Sequence, residues 1–216
     1  MNDELRGEVR SSQAEQFWES HYSGHDRPWS GKANVILARF TEPLPAGTAL
    51  DLGCGIGGNA LWLAQRGWQM TAVDISSNAL AQAAAYAVTT GMVDRVDFQQ
   101  HDLTRTFPTG AFDLVYALYL QSPVAFPREP VLQKAAAAVA PGGLLLVVEH
   151  ASVAPWSWAD PETVFPTPQE ALDTLELDLE AWHIDFLGTP ERLANGPNGQ
   201  SATVADNIIA LRRLKP

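Results

Sequence analysis

The chain has 216 residues, 46% hydrophobic and 18% charged, a composition typical of one globular domain. Its 14 Lys and Arg stand against 25 Asp and Glu, which gives a formal net charge of −11. Nucleic acids and anionic membranes attract basic surfaces, so neither is expected as a partner, and a small-molecule partner is favoured.

Cysteine content and apolar runs indicate the compartment. Cys54 is the only cysteine, so no intrachain disulfide can form, which fits a reducing environment. The first ten residues are polar and acidic, unlike a signal peptide, and the apolar run Leu144–Val148 is far too short to cross a bilayer. We therefore expect a cytoplasmic protein.

After Pro43 and Pro45, apolar runs alternate with helical patterns. Repeated β-α units imply a parallel sheet with right-handed crossovers, covered on both faces by helices. The predicted strands are Thr48–Leu52, Gln69–Val73, Arg95–Gln99, Phe112–Leu118 and Leu144–Glu149, and the predicted helices are Gly58–Arg66, Ser77–Thr89 and Val131–Ala140.

The last third of the chain has a different pattern. Residues 151–166 are rich in Pro and Trp and are expected to form a long loop, and a capping box at Thr167 predicts a helix start. Two apolar runs, Trp182–Leu187 and Thr203–Leu211, follow without a helical pattern between them. Strands without a crossover helix are expected to pair antiparallel.

A glycine-rich segment follows the first strand and opens the first helix of this core. Its glycines, Gly53, Gly55, Gly57 and Gly58, allow the backbone to approach a ligand closely beside the positive end of the helix. Asp74 ends the next strand 21 residues after Gly53, where a carboxylate can accept hydrogen bonds from ribose hydroxyls.

Two cofactors compete for this loop. Gly53, Gly55 and Gly58 fit the dinucleotide pattern G-x-G-x-x-G, so a nicotinamide-dependent oxidoreductase is one reading. Asp51 precedes the loop, and a carboxylate there would repel a pyrophosphate but would favour the ammonium group of S-adenosylmethionine (SAM). Asp51 could instead bind backbone N–H groups of its own loop.

The motifs resemble those of the class I SAM-dependent methyltransferases over about residues 15–212. Residues 51–57 (DLGCGIG) resemble motif I, residues 72–76 (AVDIS) the acidic ribose motif, and residues 112–115 (FDLV) motif IV. Residues 139–145 (VAPGGLL) resemble the family's L-x-P-G-G-x-L, and Asp102 stands where the family places an acid facing the adenine amino group.

The resemblance implies an α/β, Rossmann-like three-layer sandwich with a seven-stranded, mostly parallel sheet and one antiparallel strand near the C-terminus. The whole chain, residues 1–216, is expected to be a single methyltransferase domain, with an N-terminal aromatic cap in residues 1–40 and a SAM-binding core in residues 41–216. The segment from Phe17 to Gly31 is similar to the cap of small tellurite-resistance and thiopurine-type methyltransferases, although Gln121 replaces the His of their Tyr-Leu-His.

The cofactor predicted from this resemblance is SAM. The residues expected to bind it are Asp51, Gly53, Cys54, Gly55, Gly57, Asp74, Ile75, Asp102, Leu103, Tyr22 and Trp29. Asp102 could instead cap residues 104–107, and Cys54 is expected to be a small packing residue rather than a nucleophile.

Catalytic residues are less defined than cofactor residues. Tyr119 and His150 follow strands at the expected crevice and are weak candidates, while core packing and a strand-end hydrogen bond are their alternatives. His21 and His25 are further possible proton acceptors. The five His residues lack the spacing of metal ligands, so no metal site is expected.

Two aromatic groups lie outside the predicted strands. Trp18, Tyr22 and Trp29 form one group, and Trp156, Trp158 and Phe165 form the other. Ordinary core packing is the default interpretation. The alternative hypothesis is a lid that excludes water and packs an apolar, planar or soft substrate.

The function predicted from these features is SAM-dependent methyl transfer to a small molecule. The absence of a convincing base favours an acceptor with a soft sulfur or metalloid nucleophile, or one that ionises easily. A non-catalytic SAM-binding regulator and an NAD(P)-dependent oxidoreductase are the alternatives.

Overall fold

The computed structural model describes residues 12–24, 29–157, 159–160, 162–197 and 199–215. A mixed sheet lies at the centre, with helices on both faces. Its strands are β1 (Thr48–Leu52), β2 (Gln69–Asp74), β3 (Val96–Gln100), β4 (Phe112–Leu118), β5 (Val139–His150), β6 (Trp182–Gly188), β7 (Glu191–Asn195) and β8 (Ser201–Arg213). The helices are α1 (Gln13–Tyr22), α2 (Val35–Thr41), α3 (Gly58–Ala64), α4 (Ser77–Thr90), α5 (Arg128–Ala137) and α6 (Pro168–Asp173).

The sheet has the order β3-β2-β1-β4-β5-β8-β6, and β7 pairs with β8 beside this path. Strands β1 to β5 are mutually parallel, and β8 is antiparallel to both β5 and β6. The predicted Rossmann-like sheet with one reversed strand near the C-terminus is therefore confirmed. The strand β7 is an addition that the sequence did not predict.

The start of β5 corrects the predicted end of the preceding helix. The Ala-rich pattern predicted a helix to Ala140, but α5 ends at Ala137 and β5 begins at Val139. Phe112 N donates to Ala138 O at 2.9 Å and Phe112 pairs with Val139, so pairing with β4 overrides the helix propensity of alanine. Gly142, at φ +86°, lies in the register shift that this early pairing requires.

Strand β5 is buried on both faces, as its continuous Leu/Val run predicted. Leu144, Leu146 and Val148 face the core formed with α2, α3 and α4. Leu145 and Val147 face the core formed with α5 and α6. The central strands are thereby fixed between two helical layers.

The carboxyl ends of β1 and β4 define the crevice of the fold. These two strands are neighbours, but the chain proceeds from β1 toward β2 and β3 on one side and from β4 toward β5 on the other. The connections therefore leave in opposite directions and open a crevice above the strand ends, where such folds bind ligands. Gly53 and Tyr119 follow these two strands directly.

Across the residues that the structure describes, no helix combines the length and the apolar character needed to cross a membrane.

Replacing Leu146 by Ala should lower the free energy of unfolding by about 2–5 kcal/mol, because the side chain is fully buried in the central strand. Urea unfolding followed by circular dichroism measures this loss. The matched control is Val164→Ala, since Val164 is 91% exposed and should change stability by less than about 0.5 kcal/mol. Equal losses in the two variants would contradict the assigned core.

Candidate active site

The glycine loop after β1 has a conformation that only glycine adopts readily. Gly53, Gly55 and Gly57 have φ of +73°, +53° and +77°. A Cβ atom on Gly53 would lie 2.6 Å from Leu120 Cδ1, and one on Gly55 would lie 2.8 Å from the Tyr22 hydroxyl. Larger residues would therefore strain the backbone and would require the side-chain ends of Leu120 and Tyr22 to shift.

The buried carboxylate of Asp74 connects this loop to the next helix. Its Oδ2 accepts a hydrogen bond from Gly55 N at 2.8 Å, and its Oδ1 accepts one from Ser76 N at 2.9 Å. Burial raises the pKa of Asp74, and these backbone hydrogen bonds oppose the rise. Each oxygen retains a lone pair, so the carboxylate can still accept hydrogen bonds from a ligand.

Asp51 is a buried carboxylate whose Oδ2 has no hydrogen-bond partner among the described residues. Burial raises its pKa to about 7, the nearby Tyr116 hydroxyl lowers it, and the charge of Asp74 raises it further. Because the side chain is 2% exposed, water does not compensate for the missing partner. Asp51 therefore favours a cationic group beside it.

A cavity of about 460 Å³ lies at the carboxyl ends of the strands, a size that suits a small molecule. Of the residues predicted to form the site, those that line it are Tyr22, Gly53, Asp74, Ile75, Asp102, Leu103 and Tyr119. Six further predicted residues do not line this volume: Asp51, Cys54, Gly55, Gly57, Trp29 and His150.

Asp102 has the capping role that the sequence left open, although within a turn and not a helix. Its Oδ1 accepts hydrogen bonds from the backbone N (3.1 Å) and the hydroxyl (2.6 Å) of Thr104, and its Oδ2 lies 3.5 Å from Arg105 Nε. Asp102 also lines the cavity, as does Leu103. Its capping bonds thus hold a carboxylate in the cavity wall.

Burial raises the pKa of the Cys54 thiol well above its ordinary value. The thiol is therefore protonated at neutral pH and is a poor nucleophile. This agrees with the packing role expected for Cys54.

Helix α1 is fastened over the cavity by Glu19, a residue that the sequence did not single out. Its carboxylate accepts hydrogen bonds from Ser77 N (2.5 Å), Asn78 N (3.1 Å) and the Ser76 hydroxyl (3.1 Å) at the start of α4. The first N–H groups of a helix lack partners within it, so Glu19 supplies acceptors that α4 needs. No local pattern marks this role, since the partners lie 57–59 residues away.

The two aromatic groups occupy different places. Trp18 and Tyr22 line the cavity, and Trp29 packs against Gly58, where a Cβ atom would lie 3.0 Å from its Cδ1. Trp156 packs instead against Gly196, and neither it nor Phe165 lines the cavity. Trp158 and His25 lie outside the described residues.

The indole Nε1 of Trp29 is buried without a hydrogen-bond partner in the described part of the chain. The glycine loop therefore has an unpartnered buried donor at Trp29 as well as an unpartnered buried acceptor at Asp51. Buried polar groups usually have partners, so these two atoms are candidate contacts for a ligand. The Tyr116 hydroxyl, which is also unpartnered among the described residues, lies beside Asp51 and is a possible donor to it within the protein.

A polar cluster lies beside the cavity, formed by Tyr119, His150, Asp206 and Arg192. Tyr119 donates its hydroxyl to Asp206 Oδ2 at 3.1 Å, and Arg192 donates to both Asp206 and the Tyr119 oxygen. The rings of Tyr119 and His150 stack with centroids 4.3 Å apart. Tyr119 has φ of +56°, a strained conformation for a bulky residue.

Asp206 and Arg192 were not among the predicted site residues. Asp206 is 1% exposed in the apolar strand β8, and a charged residue in such a strand is a signal that could have identified it. Arg192 lies on β7, which the sequence did not predict, so its contact with Asp206 could not be anticipated.

Within the described ranges, no group of three or more His, Cys, Asp or Glu side chains is arranged to hold a metal ion.

Comparison with known proteins identifies the fold family. Residues 49–143 match a family model described as a methyltransferase domain. A 2-heptyl-1-hydroxyquinolin-4(1H)-one methyltransferase of Mycobacteroides abscessus is 29% identical over 180 residues, which cover 80% of this chain and 76% of the relative. Several other curated relatives are matched over less than half of their own length.

Two solved structures share the fold. TehB from Haemophilus influenzae superposes with a TM-score of 0.68 and 17% identity, over 91% of this chain and 67% of TehB. The N-methyltransferase NodS from Bradyrhizobium japonicum WM9, solved with S-adenosylhomocysteine, superposes with a TM-score of 0.65 and 17% identity, over 94% of this chain and 99% of NodS.

The match over residues 49–143 and the shared fold are those of the class I SAM-dependent methyltransferases. SAM is the cofactor of this class, and the S-adenosylhomocysteine in NodS is what remains of SAM after methyl transfer. The likeness to TehB confirms the tellurite-type appearance at the level of the fold. In this methyltransferase core, the loop at residues 53–57 and the carboxylate of Asp74 lie at the crevice that the topology creates.

Replacing Asp51 by Asn should make the methyltransferase more stable at pH 8 and leave its stability nearly unchanged at pH 4. The raised pKa means that the folded state keeps a proton on Asp51 that the unfolded chain loses above about pH 4. The contribution of Asp51 to stability therefore falls as the pH rises toward 7 and is absent in the variant.

The gain at pH 8 is at most about 4 kcal/mol, since one pKa unit corresponds to about 1.4 kcal/mol. Urea unfolding at both pH values measures it. Asp94→Asn, at an exposed position, is the matched control and should follow the wild type at both values. A loss of stability on replacing Asp51 at pH 8 would contradict an uncompensated buried charge.

Proposed function

We propose that this chain transfers a methyl group from SAM to a small, mainly apolar molecule whose nucleophile is soft or ionises easily. The observation that carries the proposal is the unpartnered, buried carboxylate of Asp51 at the glycine loop of a methyltransferase core. The adjoining cavity of about 460 Å³ supplies the space for reactants.

The residues of the loop fit the two ends of SAM. Asp51 would accept hydrogen bonds from the ammonium group, and Trp29 Nε1 would donate one to the carboxylate, so the amino-acid end would satisfy both unpartnered atoms. Asp74 would bind the ribose hydroxyls. Ile75, Asp102 and Leu103 would contact the adenine along the cavity wall.

The remaining predicted contacts complete this cofactor site. Gly53, Gly55 and Gly57 would let the backbone approach the cofactor, with Cys54 packed between them and Tyr22 above Gly55. SAM supplies an electrophilic methyl group when bound. The chain contributes alignment, because in-line displacement requires the nucleophile behind the methyl carbon.

The apolar side chains that line the cavity suit an apolar acceptor. The cavity walls include Leu118, Leu120, Phe126 and, on α1, Trp18. The Mycobacteroides abscessus relative is named for a planar hydroxyquinolinone that bears a heptyl chain, which has this apolar character. The net charge of −11 further favours a small molecule over nucleic acid.

Two features support SAM over a dinucleotide. The buried carboxylate of Asp51 would repel a pyrophosphate. Its unpartnered Oδ2 needs a hydrogen-bond donor, and the oxygens of a pyrophosphate are acceptors. Thermal unfolding with SAM or NAD distinguishes the two, because only a ligand of the folded state raises the melting temperature.

Replacing Asp74 by Ala should weaken SAM binding at least about tenfold, since a lost hydrogen bond to a charged group is worth about 1.5–3 kcal/mol. Asp74→Asn, which keeps one acceptor oxygen, should lose less. Isothermal titration calorimetry measures both affinities, with Asp97→Asn at an exposed site on β3 as control. Unchanged affinity in Asp74→Ala would exclude this site for SAM.

Replacing Trp18 by Ala should raise the KM for an acceptor about tenfold while leaving SAM affinity within about threefold, because its ring covers the cavity. The probe is 2-heptyl-1-hydroxyquinolin-4(1H)-one, and the readout is S-adenosylhomocysteine formation. Trp156→Ala is the matched control, since Trp156 packs against Gly196 away from the cavity. Equal effects of the two substitutions would contradict a covering role for α1.

A further inference from the structure

The side chain of Gln121 replaces a backbone acceptor at the end of β4. Tyr119 N donates to Val148 O at 2.7 Å, and a regular parallel ladder would next join His150 N to Tyr119 O. Tyr119 has φ of +56°, however, and its O accepts a hydrogen bond from Gln121 N at 2.7 Å. His150 N donates instead to Gln121 Oε1 at 3.0 Å.

This replacement fixes the orientation of the Gln121 amide. A backbone N–H can only donate, so the amide atom that faces His150 N must be the oxygen. The Nε2 group carries two N–H donors, and it makes no hydrogen bond within the part of the chain that the structure describes. Gln121 is half-buried and lines the cavity. A side chain of the cavity wall therefore retains two unused donors.

The residue before Gln121 connects this part of the wall to the glycine loop. A Cβ atom on Gly53 would lie 2.6 Å from Leu120 Cδ1, so the segment after β4 packs against the first glycine of the loop. Gly53, Leu120 and Gln121 all line the same cavity. Gln121 therefore lies in the cavity wall one residue beyond the contact with the loop at which SAM is proposed to bind.

Other donor groups of the cavity wall already have partners. The Tyr119 hydroxyl donates to Asp206 Oδ2 at 3.1 Å, and Arg105 Nε lies 3.5 Å from Asp102 Oδ2. Tyr119 and Arg105 line the cavity, as Gln121 does. A ligand atom that needs a donor would compete with a carboxylate for these two groups, whereas Gln121 Nε2 is available without such competition.

We infer that Gln121 Nε2 binds the methyl acceptor by donating a hydrogen bond to its anionic sulfur or oxygen. The inference rests on the proposed function and narrows its acceptor class to a molecule that binds already ionised, as a thiolate or an oxyanion. Hydrogen bonds to ionised acceptors are about twice as strong as those between neutral groups. Because an amide is uncharged, it holds the anion without neutralising the charge that attacks the methyl group.

The chemical step balances without a base or a further reactant. As the anionic sulfur or oxygen forms its bond to the methyl carbon of SAM, the carbon–sulfur bond of the cofactor breaks and its electron pair remains on sulfur. The products are a neutral thioether or ether and S-adenosylhomocysteine, and no proton moves. The charge on the acceptor declines during the step, so the hydrogen bond from Gln121 stabilises the bound acceptor at least as well as the transition state.

The test compares Gln121→Glu with the wild type on thiophenol, a planar probe that ionises readily. A glutamate oxygen can still accept from His150 N, but the variant has no N–H donor for the acceptor. We expect the KM for thiophenol to rise at least about tenfold and kcat to stay within about threefold, because the lost interaction is made in the bound state. Calorimetry should show that SAM affinity is not weakened.

Gln13→Glu is the matched control, because it makes the same change and adds the same charge at the same cavity. Gln13 is an exposed residue at the start of α1, away from the segment after β4. This variant should keep the KM for thiophenol within about threefold of the wild type. An equal rise in KM in Gln13→Glu and Gln121→Glu would assign the effect to charge alone and overturn the inference.

Gln121→Met separates binding from a purely structural role. Methionine has a similar length but neither the donors nor the oxygen that holds His150 N, so this variant should raise the KM for thiophenol about tenfold and also lower the melting temperature. If Gln121 served only to complete the pairing with β5, Gln121→Met would lose activity while Gln121→Glu kept the KM of the wild type. That pattern would overturn the inference.

The remaining outcomes separate this inference from the proposed function. A fall in kcat at unchanged KM in Gln121→Glu would overturn the binding role of Gln121 and leave SAM-dependent transfer intact. A wild type that binds SAM but does not methylate thiophenol would overturn the ionised acceptor class and the inference with it. Failure of the wild type to bind SAM in calorimetry would overturn the proposed function itself.

Discussion

The carboxylate of Asp74 is placed between two backbone N–H groups, those of Gly55 and Ser76, and this pair of hydrogen bonds holds the crevice in shape. One bond fixes the loop after β1, and the other fixes the start of α4. Glu19 on α1 in turn binds the N-terminus of α4. The loop after β1, the start of α4 and helix α1 are therefore connected around the cavity.

This arrangement places two buried carboxylates near each other, at a cost to stability. Burial raises the pKa of both Asp51 and Asp74, and the charge of Asp74 adds to the effect on Asp51. Ligand sites often contain such unfavourable groups, because a bound partner of opposite charge recovers the lost free energy. The unpartnered Oδ2 of Asp51 is consistent with such a ligand site.

Much of the fold could be predicted because its signals are local. The period of the apolar pattern located the strands, and Gly91 ends α4 in the left-handed conformation expected of a C-terminal glycine. Tertiary pairing decided the rest, as at Val139, where contact with β4 overrides an alanine-rich helix. The strand β7 escaped prediction because it lies at the sheet margin and is half exposed, so its pattern carries little hydrophobic signal.

The site divides in the same way. The loop glycines and Asp74 lie at strand ends, where a local sequence motif identifies them. Glu19, Arg192 and Asp206 instead bind residues distant in the sequence, which no local motif reveals. Asp206 and His150 are register partners across β5 and β8, a relation that no spacing within one strand reveals. Long-range pairing thus brings Asp206 and Arg192, which the sequence did not single out, next to Tyr119 and His150, which it did.

The two ends of the crevice differ in charge, and this difference bears on the acceptor. The cofactor end carries the carboxylates of Asp51 and Asp74 without a basic side chain bonded to either, which suits a cationic ligand. At the other end Asp206 is matched by Arg192, and His150 is neutral because its pKa is lowered. Arg105 lies in the cavity wall, and its Nε is 3.5 Å from Asp102 Oδ2. The electrostatics of the crevice therefore suit a cationic cofactor beside a mainly apolar acceptor.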